Sequence, residues 1–284
     1  MSEGVNLVYQ SIDRLHAEKP AATRRKMVAG TAAALGGMGL LGIAQEVEAA
    51  PVAAARHQTD QKALLNIAAT AEVLATIVNT VGGEQPEEFF SSLPGGAFTA
   101  AVTKQNIRAA AREELIHFQV LQGLGARPLT RTIYVPNVYL ASPQGLLSAL
   151  EIGDQIFVNA YLLATTVFAN RTRVRPGMRG RLARIASEFC GVEAVHRAVA
   201  RQSLGKLGND RVFLRYSQGE DARPAIAGNP NRAGFRRISS AVTQLQRAGF
   251  GFGKEGSMPG TRFEFDTVRR NTPDDQDLST RTPR

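Results

Sequence analysis

The sequence predicts an all-α fold, four long helices in a bundle with a long crossover between the second and third. Three observations predict it. Four long stretches repeat apolar residues at helical spacing, with Gly or Pro breakers between them. Ala is abundant and Trp absent, which suits closely packed helices. The connection after the second stretch is long enough to travel the height of a bundle. At 284 residues and 43% hydrophobic, the chain can bury a substantial core.

The first helix is expected from Asp60 to Val81, stopped by Gly82 and Gly83. The second runs from Phe98 to Leu124 and stops at Gly125, with Pro128 beyond. Residues 125–141 form the crossover and contain a β-like run, Thr132 to Val135. The third helix begins with Ser142 as N-cap and Pro143 in its first turn and reaches Asn170. The fourth starts after Pro176 and Gly177 and ends near Leu204 and Gly205. The bundle thus occupies residues 57–207. An extension over 208–270 is expected to pack on it. It comprises a surface loop over 209–235, a helix from Arg236 to Arg247, and an aromatic, extended segment through Gly249–Gly253 and Phe263–Asp266. The polar tail, 271–284, is expected to be disordered.

Ahead of the bundle, Thr23, Arg24, Arg25 and Lys26 precede an uncharged apolar stretch, Met27 to Ala44, and then Val47, Glu48 and Ala49. Residues 1–49 therefore resemble a twin-arginine export signal cleaved near Ala49. Uncleaved, the same stretch is just long enough to anchor the chain in a membrane. An export signal implies passage through the twin-arginine translocase and a periplasmic, envelope or extracellular destination. That route carries folded proteins, so a metal could be captured before export.

The formal net charge of +9 fits a solvated basic surface. No Lys/Arg cluster is interleaved with aromatics, so specific nucleic-acid recognition is not expected. A single cysteine, Cys190, rules out a disulfide within the chain and any Cys-based zinc or iron–sulfur site. It lies in an apolar helical stretch and reads as a small core residue.

The chemistry lies in four acids. Glu72, Glu114, Asp154 and Glu193 each sit in the apolar stripe of a different helix, at intervals of 42, 40 and 39 residues. Near-constant spacing, one acid per helix, puts all four at similar height. Two of them open Glu-x-x-His motifs, Glu114 with His117 and Glu193 with His196. Residues three apart share a helix face, so each pair can reach one metal ion. With 16 glutamates in the chain, chance puts Glu three before a given His about once in eighteen. Of the three histidines beyond the signal (His57, His117 and His196), two carry the motif. Four buried carboxylates without compensation would cost several kcal/mol each; two divalent cations remove that cost. Mixed carboxylate and imidazole ligands suit iron or manganese, and zinc can occupy such sites; the expected cofactor is two divalent ions, iron ahead of manganese.

These residues, with Asn159, Ala160 and Tyr161, resemble the ferritin-like superfamily, and within it the exported ferritin-like proteins described as desiccation-related. The resemblance covers about residues 60–205, more weakly the Gly-Phe-Gly-Phe-Gly region. It implies a dinuclear iron or manganese centre with Glu72 and Asp154 as terminal ligands, Glu114 and Glu193 bridging, and His117 and His196 as nitrogen ligands. It further implies metal oxidation by oxygen or peroxide in protection of the envelope. The lone acid of the third helix is usually Glu in such proteins; here it is Asp154, with Glu151 the alternative on a more polar face. For Tyr161 the expectation is a core aromatic whose hydroxyl meets a backbone group, against a hydrogen bond to a ligand. The alternative function is a structural or stress-associated envelope protein with a vestigial metal site. A homo-oligomer is compatible with either.

Overall fold

The computed structural model describes residues 61–170, 176–209 and 238–274, with Phe235 and Leu278. The expected export signal, His57, most of the 209–235 loop and most of the tail lie outside the described residues. Among the described residues the chain is mostly helical, with one small sheet of three strands.

Helix α1 spans Gln61–Glu84 and runs through Gly82 and Gly83, where the sequence predicts its end. These glycines mark close approach of neighbours. A Cβ on Gly82 would stand 2.8 Å from Leu146 Cδ2, and one on Gly83 2.8 Å from Arg108 Cγ. After a 3-10 turn over Glu87–Ser92, which buries Phe90, helix α2 spans Ala97–Gly123. Its end follows from a left-handed glycine. Gly125 has φ 89°, and the amide of Ala126 returns to the Leu121 carbonyl at 3.0 Å.

Helix α3 spans Pro143–Ala169, capped as expected by Ser142, whose Oγ accepts from the Gly145 amide at 3.1 Å. Helix α4 spans Pro176–Ser203 with Pro176 as its first residue. It ends as α2 does, at Gly205 with φ 73°. Each of the four long helices packs on two others: α1 on α2 and α3, and α4 on α3 and α2. They share one apolar core that includes Leu64, Val73, Ile77, Phe118, Ile156 and Ala186. Helices α1 and α3 are long and apolar enough to cross a membrane, yet 83% of the most apolar window of α1 is buried within the protein, as in a core helix.

The crossover travels along α1. The Arg127 amide bonds Asn66 Oδ1 at 2.7 Å and the Leu129 amide bonds Thr70 Oγ1 at 2.9 Å, near the start of that helix. It delivers α3 at Gln144, whose Nε2 donates to the Ser92 carbonyl, beyond the other end of α1. Midway it forms strand β1, Thr132–Pro136. The mostly helical chain agrees with the all-α expectation, and the β-like run of the crossover joins one small sheet. Strand β1 is the centre of an antiparallel sheet with β2, Gly251–Phe252, and β3, Gly260–Glu264. Ile133 pairs with Phe252 on one side and Phe263 on the other. The β-branched run buries Ile133 and Val135 completely.

Residues of the extension, Phe250 and Phe265 among them, join the apolar core. Helix α5, Ile238–Arg247, buries Ala241 and Leu245, and the Phe265 ring packs tilted against Phe118 with centroids 4.6 Å apart. Asn271 and Thr272, at the start of the polar tail, are tied to α1. Asn271 Nδ2 donates to Glu84 Oε1 at 2.6 Å, and Thr272 Oγ1 lies 2.8 Å from Thr80 Oγ1. Polar side chains at the end of α1 hold the chain there.

Candidate metal centre

Each of the four long helices contributes to one buried cluster. Glu72 comes from α1, Glu114 and His117 from α2, Asp154 from α3, and Glu193 and His196 from α4. Their ligand atoms form two groups, each within 4.8 Å: Glu72, Glu114, His117 and Glu193, and Glu114, Asp154, Glu193 and His196. All six candidate ligands are therefore brought together. Glu72, Glu114 and Glu193 are wholly inaccessible to solvent, and His117 and Asp154 are buried.

The geometry separates the roles of the carboxylates. His117 Nδ1 lies 3.5 Å from Glu72 Oε2, 3.3 Å from Glu114 Oε2 and 3.4 Å from Glu193 Oε1. His196 Nδ1 lies 3.1 Å from Glu114 Oε1 and 3.9 Å from Glu193 Oε2. Glu114 and Glu193 thus each turn one oxygen to either histidine. Glu72 belongs to the His117 side only, Asp154 to the His196 side only.

Five buried polar atoms in this cluster converge without a hydrogen bond: Glu72 Oε2, Glu114 Oε2, His117 Nδ1, and both carboxylate oxygens of Glu193. Native interiors rarely leave such atoms unpaired. Lone pairs of oxygen and nitrogen turned toward one another are the arrangement a cation needs. The donor set of carboxylates and imidazoles fits a divalent metal ion.

The charges pull against one another. Burial raises the carboxyls of Glu72 and Asp154 well above the usual range, and the neighbouring carboxylates Glu114 and Glu193 add to this. Burial, then Glu114, pushes Glu193 up to about 7. Glu114 goes the other way. Burial opposes its ionisation, but the facing imidazoles of His117 and His196 together outweigh it and hold its carboxyl low. Burial would neutralise the two histidines, yet the facing carboxylates raise both well above an ordinary imidazole. Burial, then Glu193, raises the Cys190 thiol to about 11, so it stays protonated and inert beside the site.

The shell around the ligands contains residues that sequence reasoning missed or misread. Tyr161 donates its hydroxyl to Glu72 Oε1, so the expected backbone partner is replaced by a candidate ligand. The Phe189 ring stacks on His117 at 4.0 Å and meets Tyr161 edge-on at 5.3 Å, closing the site on its apolar side. Glu113 was not foreseen. Its Oε2 lies 2.9 Å from His196 Nε2, and that contact leads the causes that lower its own carboxyl. A carboxylate on the far ring nitrogen fixes the tautomer and aims Nδ1 inward. The adjacent pair Glu113–Glu114 was the available signal. Arg197 was missed as well. It is 1% exposed and lies four residues after Glu193, on the same face. Glu151, the alternative to Asp154, is neither solvated nor among the metal-competent groups. It is buried in an ion pair with Arg201 and in another with Lys206 at 2.6 Å.

Comparison with protein-family models, with curated proteins and with solved structures finds no match to this chain.

Proposed function

We propose that this chain is an exported ferritin-like four-helix-bundle protein of the desiccation-related kind, holding two divalent metal ions. Iron is the first expectation and manganese the second. We further infer that it consumes oxygen or peroxide by oxidising metal, protecting the envelope. The observation that carries the reading is the convergence of two carboxylate–imidazole groups sharing Glu114 and Glu193, with five of their buried polar atoms left without hydrogen bonds. An acidic cluster alone would not suffice. The near-complete burial of His117, aimed at three carboxylates, is what a buried metal site requires.

The chain's own residues supply binding and shielding. Glu72 and Asp154 would each hold an ion on one side, Glu114 and Glu193 would serve both sides, and His117 and His196 would complete them. Reduced iron or manganese bound there would supply the electrons for reducing oxygen or peroxide. Tyr161 holds Glu72 in one orientation, Glu113 holds His196, and Phe189 keeps water from the apolar side. The export expectation rests on residues 23–49 and includes the twin-arginine translocase as a transient partner.

The test is aerobic addition of ferrous iron to protein stripped of metal. A ferric absorbance stoichiometric with protein is expected from the wild type and none from a Glu114→Ala/His117→Ala variant. Equal oxidation rates in the two proteins would end the proposal.

A further inference from the structure

Two small cavities share a wall at the seam between α1 and α3. The outer one measures about 30 Å³ and the inner one about 10 Å³. Leu64, Ala68, Tyr161 and Ala164 line both. The outer cavity is covered by α5, through Ala241 and Leu245, and by Leu129 of the crossover, which is 43% exposed and marks its outer edge. The inner cavity lies among the four long helices and reaches Phe189, whose ring stacks on His117. Short side chains leave the room: Ala71 and Ala160 border the outer cavity and Ala186 the inner one.

Tyr161 joins these cavities to the metal cluster. It lines both, and its hydroxyl donates to Glu72 Oε1. That hydroxyl is therefore engaged. The other polar side chain of the outer wall is Thr70, and its Oγ1 is engaged too. It donates to the Asn66 carbonyl at 2.7 Å and accepts from the Leu129 amide at 2.9 Å. Every polar side chain of the outer wall thus has its partner.

Size and polarity together select the occupant. A water molecule needs about 10–15 Å³ of such space, so the outer cavity admits a diatomic molecule or a single xenon atom. Apolar cavities stay dry and take up xenon. Hydrogen peroxide and hydrated metal ions would lose hydrogen bonds to water there and find none in exchange. Dioxygen is uncharged, apolar and small, and has no such bonds to lose. The polar approach to the cluster lies on another side, where His196 Nε2 meets the 51% exposed Glu113.

We propose that the α1–α3 seam binds dioxygen and passes it from the α5 side to Tyr161 and the Glu72 side of the metal cluster. This inference rests on the metal-oxidation reading above and chooses between its two oxidants: the seam serves dioxygen and not peroxide.

The experiment has two arms. In the first, metal-free full-length protein is placed under xenon and followed by NMR. The wild type should show one saturable xenon site that shifts the methyl resonances of Ala68, Ala160 and Ala241. Ala241→Leu fills the outer cavity from α5, a helix that bears no candidate ligand, and should weaken xenon binding by roughly tenfold or more. Leu245→Ala enlarges the same cavity and should tighten xenon binding by about threefold or more; it keeps the test open should the larger side chain prevent folding. In the second arm, ferrous iron is oxidised by dioxygen or by peroxide. Ala241→Leu should slow the dioxygen reaction by roughly tenfold and hold the peroxide reaction within about twofold of wild type. A wild type without a saturable xenon site, xenon binding that neither variant moves, or equal slowing of both oxidants would each overturn the dioxygen path while leaving the metal centre and its oxidation in place. Ferrous iron left unoxidised by either oxidant in the wild type would overturn the proposed function and this inference with it.

Discussion

Glu72 shows how much one buried side chain depends on its neighbours. It has no exposure to solvent, one oxygen on the Tyr161 hydroxyl and the other without a hydrogen bond. Removing the hydroxyl by Tyr161→Phe leaves a buried oxygen unsatisfied in a pocket that keeps its shape. The expected cost is about 1–3 kcal/mol, read as a lower urea midpoint with an unchanged slope. A midpoint equal to wild type would mean that the hydroxyl does not support Glu72. At this scale the six candidate ligands were legible, because Glu-x-x-His and an acid in an apolar stripe are local patterns. The partners of Tyr161, Glu113 and Glu151 were not. Each depends on how one helix is rotated against another, which no spacing within a single helix reports. Arg197 falls between these cases: its spacing from Glu193 was visible, but its burial was not.

Elements were legible where their ends are set by local chemistry. Ser142 with Pro143, Gly125 and Gly205 each fixed a helix end to within a residue or two. The Gly82–Gly83 pair misled because glycine serves close packing as well as termination. The sheet was legible only in part. Thr132 to Val135 reads as extended, but its register with Gly260–Glu264 joins residues more than a hundred positions apart, which sequence pattern cannot specify. The glycines make the distinction testable. A Cβ on Gly82 meets the mobile end of Leu146 at 2.8 Å. A Cβ on Gly256 meets backbone, the Gly249 carbonyl oxygen at 2.0 Å and Phe250 C at 2.7 Å. Side-chain ends can shift and backbone in a tight turn cannot. Gly82→Ala should therefore stay within about 1 kcal/mol of wild type, its contact offset by helix propensity. Gly256→Ala should lose on the order of 1–3 kcal/mol. Guanidinium denaturation of the two variants compares them directly; equal losses would contradict this packing.

At the scale of the whole molecule, the cluster couples stability to pH and to metal. With metal removed, the folded protein keeps a proton on Glu193 up to about pH 7, whereas the unfolded chain releases it near its ordinary value of 4.5. The folded state then binds the extra proton, so stability falls as pH rises through that window, by at most about 1.4 kcal/mol per pH unit from this group. The raised carboxyls of Glu72 and Asp154 act with the same sign. So do His117 and His196 above pH 6.5, where the unfolded imidazole has lost its proton and the folded one has not. Glu114 and Glu113, held low, act oppositely, and their contribution is lost on acidification below 4.5. The metal-free protein should therefore melt highest at mildly acid pH, near about 5. Metal reverses the upper limb, because ligands bind it only after losing their protons. An ion at about a hundred times its dissociation constant adds about 2.7 kcal/mol, or roughly 5–10 °C for a domain of this size. Melting scans with and without manganese(II) should thus show little stabilisation at pH 5 and a large one at pH 8. The Glu114→Ala/His117→Ala variant should show none at either pH. A metal-induced shift of equal size at both pH values would mean that manganese binds outside this cluster.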